Sequence, residues 1–200
     1  MRAARVIGGF FVQSMIVYSL LLAMWPILGG TYANLFRTTG NCLVGLGSNG
    51  RVWFSPSAKG DENHDTQLVL VDPQTGAGRR VSLSSRGHGY LPTAFVLALT
   101  LSSPIRWRRR FWATAWGLVW IDAYIALKLA LFPVAYGAGD TIELFPEVLS
   151  DALRHVFWVI GTSATGWMIV PLIIWALATI RHKDWPTIVY GTACPINSNA

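Results

Sequence analysis

The chain alternates between long apolar runs and polar segments. Four apolar runs lie at about residues 6–28, 89–105, 111–134 and 152–180. A transmembrane helix needs about 20 apolar residues to cross the hydrocarbon of a bilayer. The pattern therefore predicts an α-helical membrane protein with four transmembrane helices. The second run is short, so whether residues 89–105 span fully stays open.

The polar segment 29–88 carries β-strand signals. Residues 67–72 and 79–84 flank a Pro/Gly-rich connection at 73–78, and residues 51–54 are also β-prone. This arrangement predicts a β-hairpin. A lone hairpin is marginally stable in water, so we expect this unit to lean on the helices or on a partner. The predicted divisions are an N-terminal anchor (1–28), a β-rich outer loop (29–88), a three-helix region (89–184) and a tail (185–200).

Composition and charge agree with a membrane location. The chain has 200 residues, of which 52% are hydrophobic and 13% charged, with a net charge of +6. Soluble domains carry about 25% charged residues. The basic residues cluster at the ends of apolar runs, most densely at Arg106, Arg108, Arg109 and Arg110. We interpret these four as topology signals and contacts with anionic lipid headgroups, and we expect no nucleic-acid partner.

The positive-inside rule sets the predicted orientation. With both termini in the cytoplasm, that side holds eight basic residues against the single acid Asp184. The rule assigns the more basic side to the cytoplasm. We therefore predict a multi-pass protein of the bacterial inner membrane with residues 29–88 in the periplasm.

Two ionisable residues, Asp122 and Lys128, interrupt the third apolar run. They are six residues apart, which is about 120° around a helix and about 9 Å along it, so they are not an ideal pair. One hypothesis is a proton or ion relay, or pairing with a partner subunit. The structural alternative is that Lys128 reaches outward while Asp122 is protonated or hydrogen-bonded to polar groups of the fourth run.

Several other residues are candidates for binding or packing. Trp112, Trp116 and Trp120 form one helical stripe that could contact a pigment or lipid, or simply face lipid and other subunits. His155 lies near a predicted helix end, where it is either an interfacial residue or a pigment ligand. Gly161, Thr165 and Gly166 belong to a small-residue run that favours close helix packing.

Catalytic and metal-binding motifs give little signal. Cys42 could pair with His64 or His88 as a thiol and imidazole, but their spacing does not support it. We find no nucleotide-binding loop, metalloprotease motif or nucleophile elbow in the sequence. The sequence therefore predicts no catalytic residue and no metal, and no cofactor beyond a peripheral pigment or lipid.

Residues 87–110, GHGYLPTAFVLALTLSSPIRWRRR, resemble the middle of small membrane proteins associated with bacterial exosortase systems. The resemblance implies an N-terminal span, a β-rich outer segment and a proline-bearing span that ends in an arginine-rich turn. The Cys, Arg and His pattern of the exosortase enzymes is not matched here. The resemblance therefore implies a partner protein rather than the protease.

These observations together predict a non-catalytic accessory subunit of a larger inner-membrane complex. The assembly could serve electron transfer, photosynthesis or protein sorting, and the partners would be other membrane subunits and anionic lipids. Two alternatives remain: a membrane thiol peptidase or transferase that uses Cys42, and an oligomeric ion or proton transporter that uses Asp122 and Lys128.

Overall fold

The computed structural model describes residues 2–48, 50–57, 64–71, 76, 78–136, 155, 157–158 and 164–179. Five α-helices, three β-strands and a short π-helical segment (Arg86–Tyr90) account for most of them. The elements in chain order are α1 (Arg2–Ala23), α2 (Trp25–Ser48), β1 (Val52–Pro56), β2 (Thr66–Val71), β3 (Gly78–Leu83), the π segment, α3 (Leu91–Ser102), α4 (Trp107–Tyr136) and α5 (Ala164–Thr179).

The prediction of four transmembrane helices is wrong. Within the described part of the chain, α4 alone is long and apolar enough to cross a membrane by itself. α1 and α2 meet the same criteria only as a pair, and they are bent by 74° at the break between them. The candidates therefore number one, or two if the bent pair is a single span. α3 has 12 residues and α5 has 16, which correspond to about 18 Å and about 24 Å of helix, less than the hydrocarbon thickness.

The bend between α1 and α2 corrects the first predicted span and the start of the outer loop. Residues 6–28 are not one helix, because the helix breaks at Met24, just before Pro26. Proline lacks an N–H donor and its ring clashes with the preceding turn. After the break, Met24 O accepts hydrogen bonds from the amides of Ile27 and Leu28, both at 3.1 Å. Residues 25–48, predicted as loop for the most part, are therefore helical.

α3 is short because a proline follows closely after its last turn. Ser103 precedes Pro104 and adopts an extended conformation (φ −59°, ψ 133°), as residues before proline prefer. The Ser103 hydroxyl donates to the carbonyl of Leu99 at 2.7 Å, so the last turn is capped from within. The second apolar run thus becomes a 12-residue helix that is mostly buried rather than a full span.

The predicted hairpin is present, and a third strand joins it. The sheet is antiparallel with the order β1-β2-β3, and Phe54 pairs with Leu68, which in turn pairs with Val81. α2 packs against β1. The Asn41 side chain of α2 makes two hydrogen bonds with the backbone of β1: it donates to Phe54 O (3.0 Å) and accepts from Phe54 N (2.6 Å). Because an open strand edge is prone to unwanted pairing, this contact also protects β1.

α3 lies at the centre of the helices and packs against α1, α4 and α5. Along α1, Phe10 stacks on Trp175 of α5, whereas the carbonyl of Leu21 accepts from the hydroxyl of Tyr90 at 2.5 Å. The molecule therefore has two ends. We call them the basic end, formed by Arg106–Arg110 and the last turn of α5, and the sheet end, formed by the sheet and the last turns of α4. One hydrophobic core continues from the helices into the sheet.

Candidate functional site

The first candidate site is a buried lysine near the sheet end of α4. Lys128 is only 4% exposed. Its Nζ lies 3.4 Å from Nδ1 of His88 and 5.5 Å from the centroid of the Tyr124 ring. The His88 contact is long for a hydrogen bond, and the aromatic ring adds a weak cation–π attraction. The site therefore holds a positive charge in a largely apolar setting.

His88 approaches this lysine from the π segment that leads into α3. Its ring packs edge-to-face on Phe132, with 5.2 Å between ring centroids. Burial, together with the charges of Lys128 and His64, lowers the pKa of His88 to about 4. His88 is therefore neutral at pH 7, and its Nδ1 can accept from the lysine when the ring proton is on Nε2.

Aromatic rings form the wall around this pair. Phe132 and Phe157 are almost fully buried, with 5.1 Å between their centroids, and Tyr136 stacks on Phe132 at 5.8 Å. No group of three or more His, Cys, Asp or Glu side chains that could hold a metal ion occurs among the residues whose structure is described.

The structure does not bring Asp122 and Lys128 together as a polar pair. Asp122 is exposed on the surface of α4, whereas Lys128 faces the core. The alternative in which Lys128 reaches outward is also wrong, because the side chain is buried. The six-residue spacing accounts for this, since it rotates one side chain about 120° away from the other.

The second candidate site is the basic end, where arginines bind helix carbonyls. Arg109 Nη2 donates to Thr179 O at 2.8 Å, and Arg110 Nη2 donates to Ser103 O at 2.9 Å. Trp175 Nε1 also donates to the Ser103 hydroxyl at 2.8 Å. These bonds join the ends of α3, α4 and α5, and they place guanidinium charge at the carbonyl ends of α3 and α5, where the helix dipole favours it.

A groove opens beside these arginines. Its volume is about 240 Å³, and it is lined by Arg109, Trp112, Ala113, Trp116 and Ala178. We call it the α4–α5 groove. Trp112 and Trp116 of the predicted stripe line it, while Trp120 is 57% exposed farther along α4. Arg106 and Arg108 are exposed at the same end.

The remaining predicted residues do not gather into a site. His155 and Cys42 are both exposed. Gly161 lies outside the described residues, and Thr165 and Gly166 fall in the first turn of α5. Their predicted packing role therefore stays a prediction.

Sequence reasoning missed two features. It weighed His88 only as a partner for Cys42, although the structure places it against Lys128, 40 positions along the chain. It also missed Gly117, where a Cβ atom would lie 3.0 Å from Val96, so α3 and α4 are in close contact there. Small residues permit such close approach. The position of Gly117 on the same helical face as Ile121 and Tyr124 was the available signal.

Comparison with known proteins gives no relative. No family model, no curated protein and no solved structure matches this chain.

Proposed function

We propose that the protein is a non-catalytic subunit of a membrane assembly and that it holds a small sheet at the membrane surface. The observation that carries the proposal is the outward direction of large apolar side chains on α1, α4 and α5. The exposed set includes Phe11, Met15, Ile16, Leu20, Phe111, Trp112, Trp116, Val119, Trp120, Leu127, Leu172, Ile173 and Leu177.

Such a surface is unusual for a protein in water. Soluble monomers rarely expose contiguous apolar patches above a few hundred Å². The exposed side chains recur over residues 7–20 of α1, 111–127 of α4 and 168–177 of α5. Asp122 and Lys128 are the only charged residues between Phe111 and Tyr136. A bilayer around α4, with the bent pair α1–α2 partly inserted, would cover this surface.

Several polar contacts that fasten the sheet support a structural role. Arg37 of α2 donates to the carbonyl of Asp65 at 3.0 Å, and the Asp65 carboxylate accepts from the Ser85 amide (2.9 Å) and hydroxyl (2.5 Å). Arg79 of β3 donates to the carbonyl of Tyr136 at 3.3 Å. The sheet is therefore tied to α2, to the π segment and to α4, and its outer face is presented in one orientation. A fixed surface of this kind suits assembly with another subunit.

The kind of assembly stays a prediction. The resemblance of residues 87–110 to exosortase-associated proteins favours a protein-sorting partner over an electron-transfer or photosynthetic one. The exposed apolar side chains on α1, α4 and α5 support a membrane assembly of any of these kinds.

The buried Lys128–His88 contact favours a second candidate function, a proton or ion relay in an oligomer. Lys128 rather than Asp122 would then carry the relay. A relay predicts that Lys128→Met abolishes proton flux into vesicles reconstituted with the protein while its assembly state is unchanged. The structural role predicts no flux in either protein.

Membrane integration is tested by alkaline carbonate extraction of membranes that contain the full chain. We expect the wild-type protein to stay in the pellet. A double variant, Val119→Arg and Leu127→Arg, places two charges on the exposed face of α4 and should release the protein or prevent its insertion. The control is Ser82→Arg at an exposed position of β3, which should behave as wild type.

Assembly is tested by native mass spectrometry after mild detergent extraction. We expect a complex of defined stoichiometry. Release of the wild-type chain by carbonate would contradict the membrane location, and recovery as a free monomer only would contradict the subunit role.

A further inference from the structure

We infer that the α4–α5 groove binds one acidic phospholipid of the adjacent leaflet, with the phosphate at Arg109 and the first part of the acyl chains against Trp112 and Trp116. The inference rests on the proposed membrane location and adds a defined ligand to it. Three properties of the groove carry it: its charge, its shape and its position.

The charge around the groove is entirely positive along the chain segments that build it. Residues 103–121 contain four arginines and no Asp or Glu, and the described residues of α5, 164–179, include no charged residue. Arg106 and Arg108 are exposed beside the groove, and Arg109 lines it. Guanidinium groups bind phosphate through paired N–H donors, and a cluster of them favours a lipid with net negative charge.

The shape of the groove fits the junction between a headgroup and its chains. Arg109, Trp112 and Trp116 follow one another along one side of α4, over a rise of about 10 Å. Ala113 and Ala178 are small, and they leave the 240 Å³ between the helices open. The glycerophosphate part of a lipid can enter there, while its chains continue over the exposed apolar side chains of α4 and α5.

The position of Arg109 is fixed by the protein itself. Its hydrogen bond to Thr179 O holds the guanidinium group against the last turn of α5. The same bond connects α4 and α5, which form the two walls of the groove. Tryptophan is enriched at the level of lipid headgroups, where its ring contacts both polar and apolar groups. Trp107, Trp112 and Trp116 all lie within the first ten residues of α4.

The test uses the full chain in nanodiscs of phosphatidylcholine and phosphatidylglycerol at a ratio of 4:1, followed by native mass spectrometry of the released protein. We expect one phosphatidylglycerol molecule to be retained per chain in preference to phosphatidylcholine. Arg109→Gln removes the charge, and Ala178→Leu fills the groove without changing charge. Each should reduce retained phosphatidylglycerol at least fivefold. The control is Arg80→Gln, which makes the same charge change on the exposed face of β3 and should retain lipid as wild type.

Each outcome decides between explanations. Equal retention of phosphatidylglycerol and phosphatidylcholine would show that the groove is only an apolar cleft. Wild-type retention of phosphatidylglycerol by both Arg109→Gln and Ala178→Leu would show that the lipid is held by general charge attraction. Either result overturns the inference but leaves the membrane location intact. Because Arg109→Gln also removes the bond to α5, circular dichroism and insertion are measured for every variant, and Ala178→Leu gives the decision if Arg109→Gln does not fold. Failure of the wild-type chain to enter the nanodiscs would instead overturn the proposed function, and the inference with it.

Discussion

The two ends of α4 handle positive charge in opposite ways. At the basic end, the arginines lie at or near the surface, and Arg109 and Arg110 donate to helix carbonyls. At the sheet end, Lys128 is buried beside a neutral histidine and aromatic rings. The same helix thus carries charges that fasten helix ends and a charge that is desolvated without comparable hydrogen bonding.

This difference between the two ends of α4 predicts which charges stabilise the fold and which destabilise it. Arginine charge bonded to carbonyls at a helix end is favourable. A buried charge loses hydration, which only excellent hydrogen-bond geometry can offset. We therefore expect the basic end to contribute binding at little cost, and the sheet end to hold both the strongest apolar packing and a residue that lowers stability.

The largest effect should come from the aromatic packing at the sheet end. Phe132 is fully buried and contacts His88, Tyr136 and Phe157. Phe132→Ala should lower the free energy of unfolding by about 3–5 kcal/mol, because it removes a large side chain and leaves a cavity. Unfolding in detergent micelles, followed by circular dichroism, measures this. The matched variant at the basic end is Trp116→Ala, which removes a mostly exposed ring and should cost far less. Equal losses would remove the distinction between the two ends.

The next effect tests the buried charge directly. Lys128→Met keeps a similar volume and removes the ammonium group, so it should raise the free energy of unfolding by about 1–3 kcal/mol. Arg80→Met, the matched removal of a charge at an exposed position of β3, should change it by less than about 0.5 kcal/mol. The same unfolding assay applies to both. A loss of stability in Lys128→Met would show that the lysine has a stabilising partner, and the comparison between the ends would fail.

The third effect is a dependence on pH at the sheet end. His88 has a pKa of about 4 in the folded protein, against an ordinary value of 6.5. Between these values the unfolded chain binds more protons than the folded one, so stability is fully present above pH 6.5 and is lost as the pH falls. From pH 7 to pH 5 the free energy of unfolding should drop by about 1–2 kcal/mol. His88→Phe should remove this part of the pH dependence, whereas His155→Gln, at an exposed position, should keep it. An unchanged pH profile in His88→Phe would contradict the assignment.

Local sequence signals predicted much of the secondary structure. The β-prone segments 67–72 and 79–84 around a Pro/Gly-rich connection predicted the hairpin. The third apolar run, predicted at 111–134, lies within α4, which already begins at Trp107 because Arg108, Arg109 and Arg110 are helical. The number of spans could not be obtained in this way. Hydropathy treats 89–105 and 6–28 as continuous runs, whereas Ser103-Pro104 and Pro26 shorten or bend the helices.

The candidate site was less predictable than the fold, because it depends on contacts between distant segments. The sequence drew attention to Lys128, yet its neighbour His88 comes from a π segment that no periodicity indicates. The α4–α5 groove similarly needs Ala178 opposite Trp116, more than 60 positions away. Their spacing led to the prediction that Trp112 and Trp116 contact a pigment or lipid, and the structure shows that both side chains line one groove.

The smallest effect tests the contact that joins α1 to the start of α3. The Tyr90 hydroxyl donates to Leu21 O, just before the bend into α2. Tyr90→Phe removes this hydrogen bond and keeps the ring packed on Trp25 and Tyr32, so it should cost about 0.5–1.5 kcal/mol. Trp175→Phe removes the corresponding bond at the basic end, from Nε1 to the Ser103 hydroxyl, together with part of the ring that stacks on Phe10. We expect a loss of similar size or somewhat larger there, measured in the same unfolding assay. Tyr90 and His88 are separated in the chain by Gly89 alone, so the Tyr90 hydrogen bond and the His88 site can respond together. They form one unit if both variants lose the same free energy of unfolding at pH 7 but only Tyr90→Phe changes its dependence on pH.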